Sequence, residues 1–225
     1  MSSGKALFIA GTDTGVGKTL LGEAILLAAN KAGLSTAAVK PIAAGCDADG
    51  TNEDARALMR AMSFDLPYQQ VNPVALREAI APHIAAAHEG RTLRVSQLAG
   101  YCRGVLMKRA DLTVIEGAGG WRVPLNAVET LADLVRELQL GVVLVVGMRL
   151  GCINHALLTA EAIRADGLEL KGWVANQIDP DMPCYEENLA TLKQRIAAPL
   201  LADVPWSDTL VVSQVADLID ISVLL

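Results

Sequence analysis

Gly11-Thr12-Asp13-Thr14-Gly15-Val16-Gly17-Lys18-Thr19 is the segment of this chain best equipped for chemistry. Its glycines let successive backbone N–H groups turn inward as an anion nest, and a helix starting there adds about half a positive charge. In such a loop the lysine, Lys18, reaches the β- and γ-phosphates, and the hydroxyl of Thr19 is placed to ligate Mg²⁺. Five residues lie between Gly11 and Gly17, one more than in the common Walker A pattern. The pattern implies binding of a nucleoside triphosphate. It does not specify a reaction.

Other residues compete for roles beside it. Mg²⁺ takes oxygen ligands and only a few of them from protein, so Glu116, followed by Gly117-Ala118-Gly119-Gly120, is a second candidate after Thr19. The glycines there allow close approach of backbone to a ligand. Asp54 is a weaker candidate, since an acidic residue near a helix start often only favours the dipole; Asp47, Asp49 and Glu53 compete with it. Lys40, before Pro41, is either a second cation for a transferring phosphoryl group or a strand-end lysine with its head in water. Residues 147–154 include Arg149, Gly151, Cys152 and Asn154 ahead of a helix. They form either a carboxylate-binding turn or an ordinary helix entry. His83, His88 and His155 fit no Ser-His-Asp or Cys-His order.

The elements that must position these groups read as strand and helix in alternation. Short apolar runs at 6–10, 35–40, 112–115, 142–146 and 170–175 suit buried strands. Leu20, Leu21, Ala24, Ile25, Ala28 and Ala32 recur at helical spacing over 17–32, and Gly33 is a stop signal. Ser96 and Thr130 are placed as helix caps, and helices are expected over 153–165 and from Tyr185 to Ile196. Residues 45–52 form a Gly/Asp/Asn-rich loop suited to a mobile segment over a site. Residues 53–89, interrupted by Pro67, Pro73 and Pro82, read as an irregular insertion with short helices, and the stretch after Pro205 as less regular. Alternation of this kind implies right-handed crossovers and a parallel sheet. Ligands of such sheets sit beyond the carboxyl ends of the strands, where the polar and glycine residues above are gathered.

Composition agrees. The 225 residues carry 19 basic and 25 acidic side chains, a net charge of −6, so the balance does not suggest a nucleic-acid binder. The chain is 52% hydrophobic and only 4% aromatic, which suits small aliphatic helices packed on a sheet. The longest apolar run, 140–148, is far shorter than the roughly 18 residues of a membrane span, and the start has no signal-peptide core. Cys46, Cys102, Cys152 and Cys184 form no CxxC pair and are expected as reduced thiols of a cytoplasmic protein. One domain over residues 1–225 is expected.

Taken together, GTDTGVGKT at 11–19, KPIAAG at 40–45, APHIAAAHEG at 81–90, VIEGAGGWRVPL at 114–125, LGCINHALLTAEAI at 150–163, GWVAN at 172–176 and ADVPW at 202–206 resemble the dethiobiotin synthetase family. The resemblance runs through nearly the whole chain in the family's order. It implies a P-loop NTPase-like doubly wound α/β fold, a mostly parallel sheet with helices on both faces, and a homodimer. It also implies a cyclo-ligase that uses ATP, CO₂ and 7,8-diaminononanoate to close the ureido ring of dethiobiotin. Carried over by residue, Lys18 and Lys40 are the catalytic cations, and Thr19, Asp54 and Glu116 hold Mg²⁺. Thr14, Gly15, Val16, Gly17, Lys18 and Thr19 line the phosphates, with Gly117, Ala118 and Gly119 near the nucleotide. Asn176 reads the adenine edge with Gln177 beside it, and Pro205, Trp206 and Ser207 close the base pocket. Thr14, Lys40 and Ala44 face the substrate, while Gly151, Cys152, Ile153 and Asn154 of the other subunit hold its carboxylate.

The chain departs from the family pattern in places. Ala44 and Ala81 replace hydroxyl residues, Gly15 stands where some members have glutamate, and Arg149 where some have lysine. Competing readings are weaker. Deviant Walker regulatory ATPases carry an extra lysine where Thr12 and Asp13 stand here. There is no NKxD for guanine selection, since Asn30-Lys31-Ala32-Gly33 lacks the aspartate, and there is no room for a glutaminase segment.

Overall fold

The strands of the main sheet are apolar because helices cover them, as the all-buried runs of β2 (Thr36–Val39) and β5 (Leu112–Glu116) show. The computed structural model describes residues 4–225. With β1 (Lys5–Gly11), β6 (Gly141–Met148), β7 (Leu170–Gln177) and β8 (Leu200–Val204) these strands form a six-stranded sheet in the order β2-β5-β1-β6-β7-β8. Every pairing in it is parallel. Registry slips once between β6 and β7 at Val142/Val143, and once between β7 and β8 at Trp173/Val174.

From β1 the chain runs outward to β2 through α1 (Lys18–Lys31), returns to β5 through α5 (Val95–Leu106), and then moves the other way. It reaches β6, β7 and β8 in turn through α6 (Leu131–Leu138), α7 (Cys152–Ala165) and α8 (Tyr185–Arg195). Right-handed crossovers place α1 on one face and α5 to α8 on the other. α1 packs with α2 (Glu53–Ala61) and α9 (Val212–Asp217), α5 with α6, and α7 with α8. The reversal of direction lies beside β1, which puts the ligand crevice at that strand's carboxyl end.

The insertion between β2 and β5 has more order than its prolines suggest. It holds α2, α3 (Tyr68–Val71) and α4 (Pro82–His88), and a parallel pair, β3 (Ala43–Ala44) with β4 (Ala75–Leu76). Strands of two residues are too short to show a period. A second apolar cluster built on Ile42, Val74, Leu76, Leu93, Leu98 and Leu134 anchors the insertion. Strand β8, which the sequence did not signal, follows Pro199 directly. Ser96 is not a cap: α5 starts at Val95, whose N–H is taken by Glu129 Oε2 at 3.1 Å. Among the described residues no helix is long and apolar enough to cross a membrane, and all four cysteines are free.

Thr130 does precede a helix as expected. Asp133 Oδ2 accepts from both the Thr130 N–H and its hydroxyl at 2.8 Å, tying the entry of α6 to its first turn. Asp133→Ala is expected to lower the unfolding free energy by about 1 kcal/mol, read from the midpoint of urea denaturation at pH 7. An unchanged midpoint would show that the entry of α6 is held by packing alone.

Candidate active site at the ends of the central strands

The loop between β1 and α1 is pinned from three sides. Asn176 Nδ2, at the end of β7, donates to the Val16 carbonyl at 2.8 Å. The Gly147 N–H of β6 donates to Thr12 Oγ1 at 3.3 Å, and Arg149 Nη2 meets Asp13 Oδ2 at 2.6 Å. Gly17 has φ 91°, a left-handed conformation, and a Cβ there would lie 2.3 Å from Asn176 Nδ2. Glycine is therefore required by both conformation and contact. Lys18 is buried, and its Nζ donates to the Asp13 carbonyl at 2.9 Å.

Beside the loop, two cations and two carboxylates converge. Glu116, at the end of β5, is 0% exposed. Its Oε1 accepts from the Thr19 hydroxyl at 2.9 Å and from Lys40 Nζ at 2.6 Å, while Oε2 is buried without a partner. Lys40 Nζ also lies 3.0 Å from Asp54 Oδ2. Lys40 is 4% exposed, so its head is inside the site and not in water. Asp54, the weakest candidate from sequence, faces the site. Asp47 and Asp49 instead pair with Arg56 across the 45–52 loop, at 3.2 and 2.8 Å.

The two lysines differ in proton affinity. Burial lowers the Lys18 pKa to about 8, only partly opposed by Glu116, and Lys40 adds like-charge repulsion. Burial would lower Lys40 as well, but the Glu116 and Asp54 carboxylates outweigh it and hold Lys40 above the usual lysine value. Asp54 lies below the usual carboxylate range because Lys40 outweighs the effect of burial. Thr19, Glu116 and Asp54 thus present hard oxygen donors next to the phosphate loop, the donor type Mg²⁺ prefers.

The remaining predicted residues ring this centre. Gly117 follows Glu116 with its backbone against Phe8, and a Cβ there would meet Phe8 at 2.8 Å. A Cβ on Gly119 would lie 3.6 Å from Thr14 Oγ1, and Ala118 packs on the second apolar cluster. Ala44, in β3, is partly exposed. Gln177 Oε1 accepts the Trp206 N–H at 3.2 Å, which ties the end of β7 to the exposed stretch of Pro205, Trp206 and Ser207. The amide nitrogen of Asn176 is used by the loop. Gly151 and Asn154 are exposed, Ile153 is partly buried and the Cys152 side chain is buried, so the backbone, Asn154 and part of Ile153 are presented to the outside there.

A family model described as an AAA domain matches residues 5–214. The ATP-dependent dethiobiotin synthetase BioD of Cellvibrio japonicus is 61% identical over 206 residues, 90% of each chain. The chain belongs to the ATP-dependent dethiobiotin synthetase family. The BioD proteins of Pseudomonas aeruginosa (58% over 203 residues, 89% of each chain) and Marinobacter nauticus (53%, 88% of this chain and 87% of that one) agree. As a synthetase of this family the chain is an enzyme of the ligase class. Among solved structures, a ParA family ATPase from Chlorobium tepidum has a TM-score of 0.56 at 12% identity, covering 91% of this chain and 85% of that one. The signal recognition particle receptor FtsY from Elizabethkingia anophelis has a TM-score of 0.50 at 13% identity, covering 97% and 64%. These likenesses establish a P-loop NTPase fold and nothing about the reaction.

Two features of this synthetase-family site escaped the sequence. One is the Asp13–Arg149 pair, 136 positions apart. The other is the segment of Tyr68 and Asn72 behind Lys40, whose only sequence signal is a polar residue wedged between Val71 and Pro73. The low Lys18 pKa has a consequence for ATP. Phosphates favour the ammonium form, so binding raises this pKa and takes up protons near and above pH 8, and affinity weakens as pH rises through that value. Calorimetry at pH 8 in two buffers of different ionisation enthalpy should show this uptake, and Lys18→Met should abolish it. Equal heats in both buffers would show that ATP binding does not change the protonation of Lys18.

Proposed function

We propose that this chain converts 7,8-diaminononanoate, CO₂ and ATP to dethiobiotin, ADP and phosphate. The observation that carries the proposal is the convergence of Lys18, Lys40, Thr19, Glu116 and Asp54 beside the phosphate loop, in a chain 61% identical to a dethiobiotin synthetase. In the first step a neutral amine of the diamine attacks CO₂ and loses a proton, giving a carbamate. A carbamate oxygen then attacks the γ-phosphorus as the bond to ADP breaks, giving a carbamic-phosphoric anhydride. The second amine attacks the carbamoyl carbon, phosphate leaves, and the ring closes.

No step needs a nucleophile from the protein, and none is legible among its residues. What the chemistry needs is positive charge on the transferring phosphoryl group and fixed positions for the reactants. Lys18 enters from the loop and Lys40 from the end of β2, both buried and so acting in a medium of low dielectric. Mg²⁺, when bound, neutralises phosphate charge, and Thr19, Glu116 and Asp54 would hold it. The donor set fits: it is all oxygen, and Glu116 Oε2 is buried with no protein partner.

Thr14, Lys40 and Ala44 would face the diamine. Without a hydroxyl, Ala44 forgoes one hydrogen bond of about 0.5–1.5 kcal/mol, a modest effect on KM. The substrate carboxylate would be held by Gly151, Cys152, Ile153 and Asn154 of a second copy in a homodimer. The start of the 14-residue α7 supports this: the Cys152 N–H is taken by the Arg149 carbonyl at 2.9 Å, but the N–H groups of Ile153 and Asn154, in the first turn, have no acceptor within the helix. Asn176, Gln177, Pro205, Trp206 and Ser207 would hold the base.

Protein incubated with ATP, Mg²⁺, bicarbonate and 7,8-diaminononanoate should yield dethiobiotin by mass spectrometry, and each omission should abolish it. Absence of product from folded, ATP-binding protein would refute the assignment. Lys40→Ala should cut turnover by about 10²–10³-fold, with ATP binding retained as proof of folding; near-normal turnover would remove Lys40 from the reacting centre. Glu116→Ala should raise the Mg²⁺ concentration needed for half-maximal turnover, and an unchanged titration would count against Glu116 as a metal ligand.

A further inference from the structure

Lys40 stands just past the end of β2, the edge strand, and the next residue, Pro41, has no N–H. Its peptide groups are nonetheless both engaged, by one short segment. The Lys40 N–H donates to the Val71 carbonyl at 2.7 Å, and the Lys40 carbonyl accepts from Asn72 Nδ2 at 2.7 Å. Asn72 is 3% exposed. Its Oδ1 accepts from the Tyr68 hydroxyl at 2.9 Å, and that hydroxyl in turn accepts the Asn52 N–H at 2.7 Å. Asn52 caps α2, its Oδ1 accepting the Ala55 N–H at 3.3 Å. Asp54 is the second residue of α2, and its carboxylate closes the circuit 3.0 Å from Lys40 Nζ.

We infer that Tyr68 and Asn72 are positioning residues that hold Lys40 and Asp54 in one frame, although neither meets substrate. The inference rests on the roles given to Lys40 and Asp54 in the proposed function. Each polar atom in the circuit has one workable role. The Asn72 amide nitrogen faces two carbonyls, those of Lys40 and of Val74 at 3.4 Å, while its oxygen faces a hydroxyl. A flipped amide would set oxygen against oxygen, so the orientation is fixed. The Tyr68 oxygen donates to Asn72 and accepts from Asn52, using both of its capacities. With both of its amide side chains, Asn52 and Asn72, buried and Tyr68 half-buried between them, such a network of paired polar groups is stiff, and this one joins the backbone of the cation to the helix start that carries the anion. The phosphate loop takes no part. It is pinned separately, from β6, β7 and Arg149.

That separation supplies the test. Tyr68→Phe removes only the hydroxyl, and Asn72→Asp keeps the shape while replacing the donor that faces the Lys40 carbonyl. ADP affinity measured without Mg²⁺ should stay at the parental value in both. The Mg²⁺ affinity of the ADP-loaded protein, read by calorimetry, should fall by about 10-fold, the scale for lost outer support of a metal ligand. In dethiobiotin formation kcat should fall by about 10-fold for Tyr68→Phe, the upper scale of one lost hydrogen bond, and by about 100-fold for Asn72→Asp. Folded variants with parental Mg²⁺ affinity overturn the inference. So does a parallel loss of ADP affinity, which marks general loosening of the fold. Should Asn72→Asp fail to fold, Tyr68→Phe decides alone. If the parent protein makes no dethiobiotin, the functional reading fails, and the Mg²⁺ titration still decides the frame.

Discussion

The site is organised around the buried pairing of Glu116 with Lys40. A carboxylate with no exposed surface is costly to strip of water, and removing the partner of such a group costs about 3–5 kcal/mol. The pair therefore constrains everything that presents its members. Lys40 comes from the end of β2 and Glu116 from the end of β5, neighbours in the sheet whose parallel pairing aligns their carboxyl ends. Thr19, from the first turn of α1, shares the same carboxylate oxygen, and Asp54, from α2, shares the same ammonium. Four elements that meet nowhere in sequence are brought together by one charge that must not be left alone.

The same physics sets the two lysines apart. Both are buried, and burial alone disfavours the charge on each. Lys40 has two carboxylates within hydrogen-bond distance, whereas Lys18 Nζ bonds only a backbone carbonyl. One lysine is thus held as a permanent cation while the other sits near its titration point. Placed in a single cleft, they offer a fixed charge and an adjustable one, an arrangement that suits a reaction in which phosphate charge arrives and departs.

Much of this was legible in the sequence. The strand–loop–helix around Gly11 to Thr19, the carboxylate ahead of Gly117 and the alternation of apolar runs with helical spacing all follow from local patterns, and local patterns survive folding. The β3–β4 pair was not legible, because runs of two residues carry no distinguishing period, and β8 was not, because Asp203 interrupts the apolar run of Leu200–Val204. Asp54 was singled out only by the family resemblance and not by its local pattern. Asp47, Asp49 and Glu53 lie as close in sequence, and only the fold shows that Arg56 draws Asp47 and Asp49 aside. The Asp13–Arg149 pair and the bonds of Asn72 to Lys40 span 136 and 32 positions. Contacts of that kind depend on topology and leave no trace in spacing.

Strand β7 ends in two adjacent amides with different tasks: Asn176 holds the phosphate loop, and Gln177 holds the backbone at Trp206. Successive residues of a strand point to opposite faces, so the division of labour is written into the parity of the strand. Side chains here can be exchanged for others of similar shape, but the number of residues cannot change. Inserting or deleting one residue between the slip at Trp173/Val174 and the strand end would exchange the two faces. Both amides would then be present, each facing away from its partner. Over evolutionary time this stretch should accept substitutions away from its two amides and refuse changes of length.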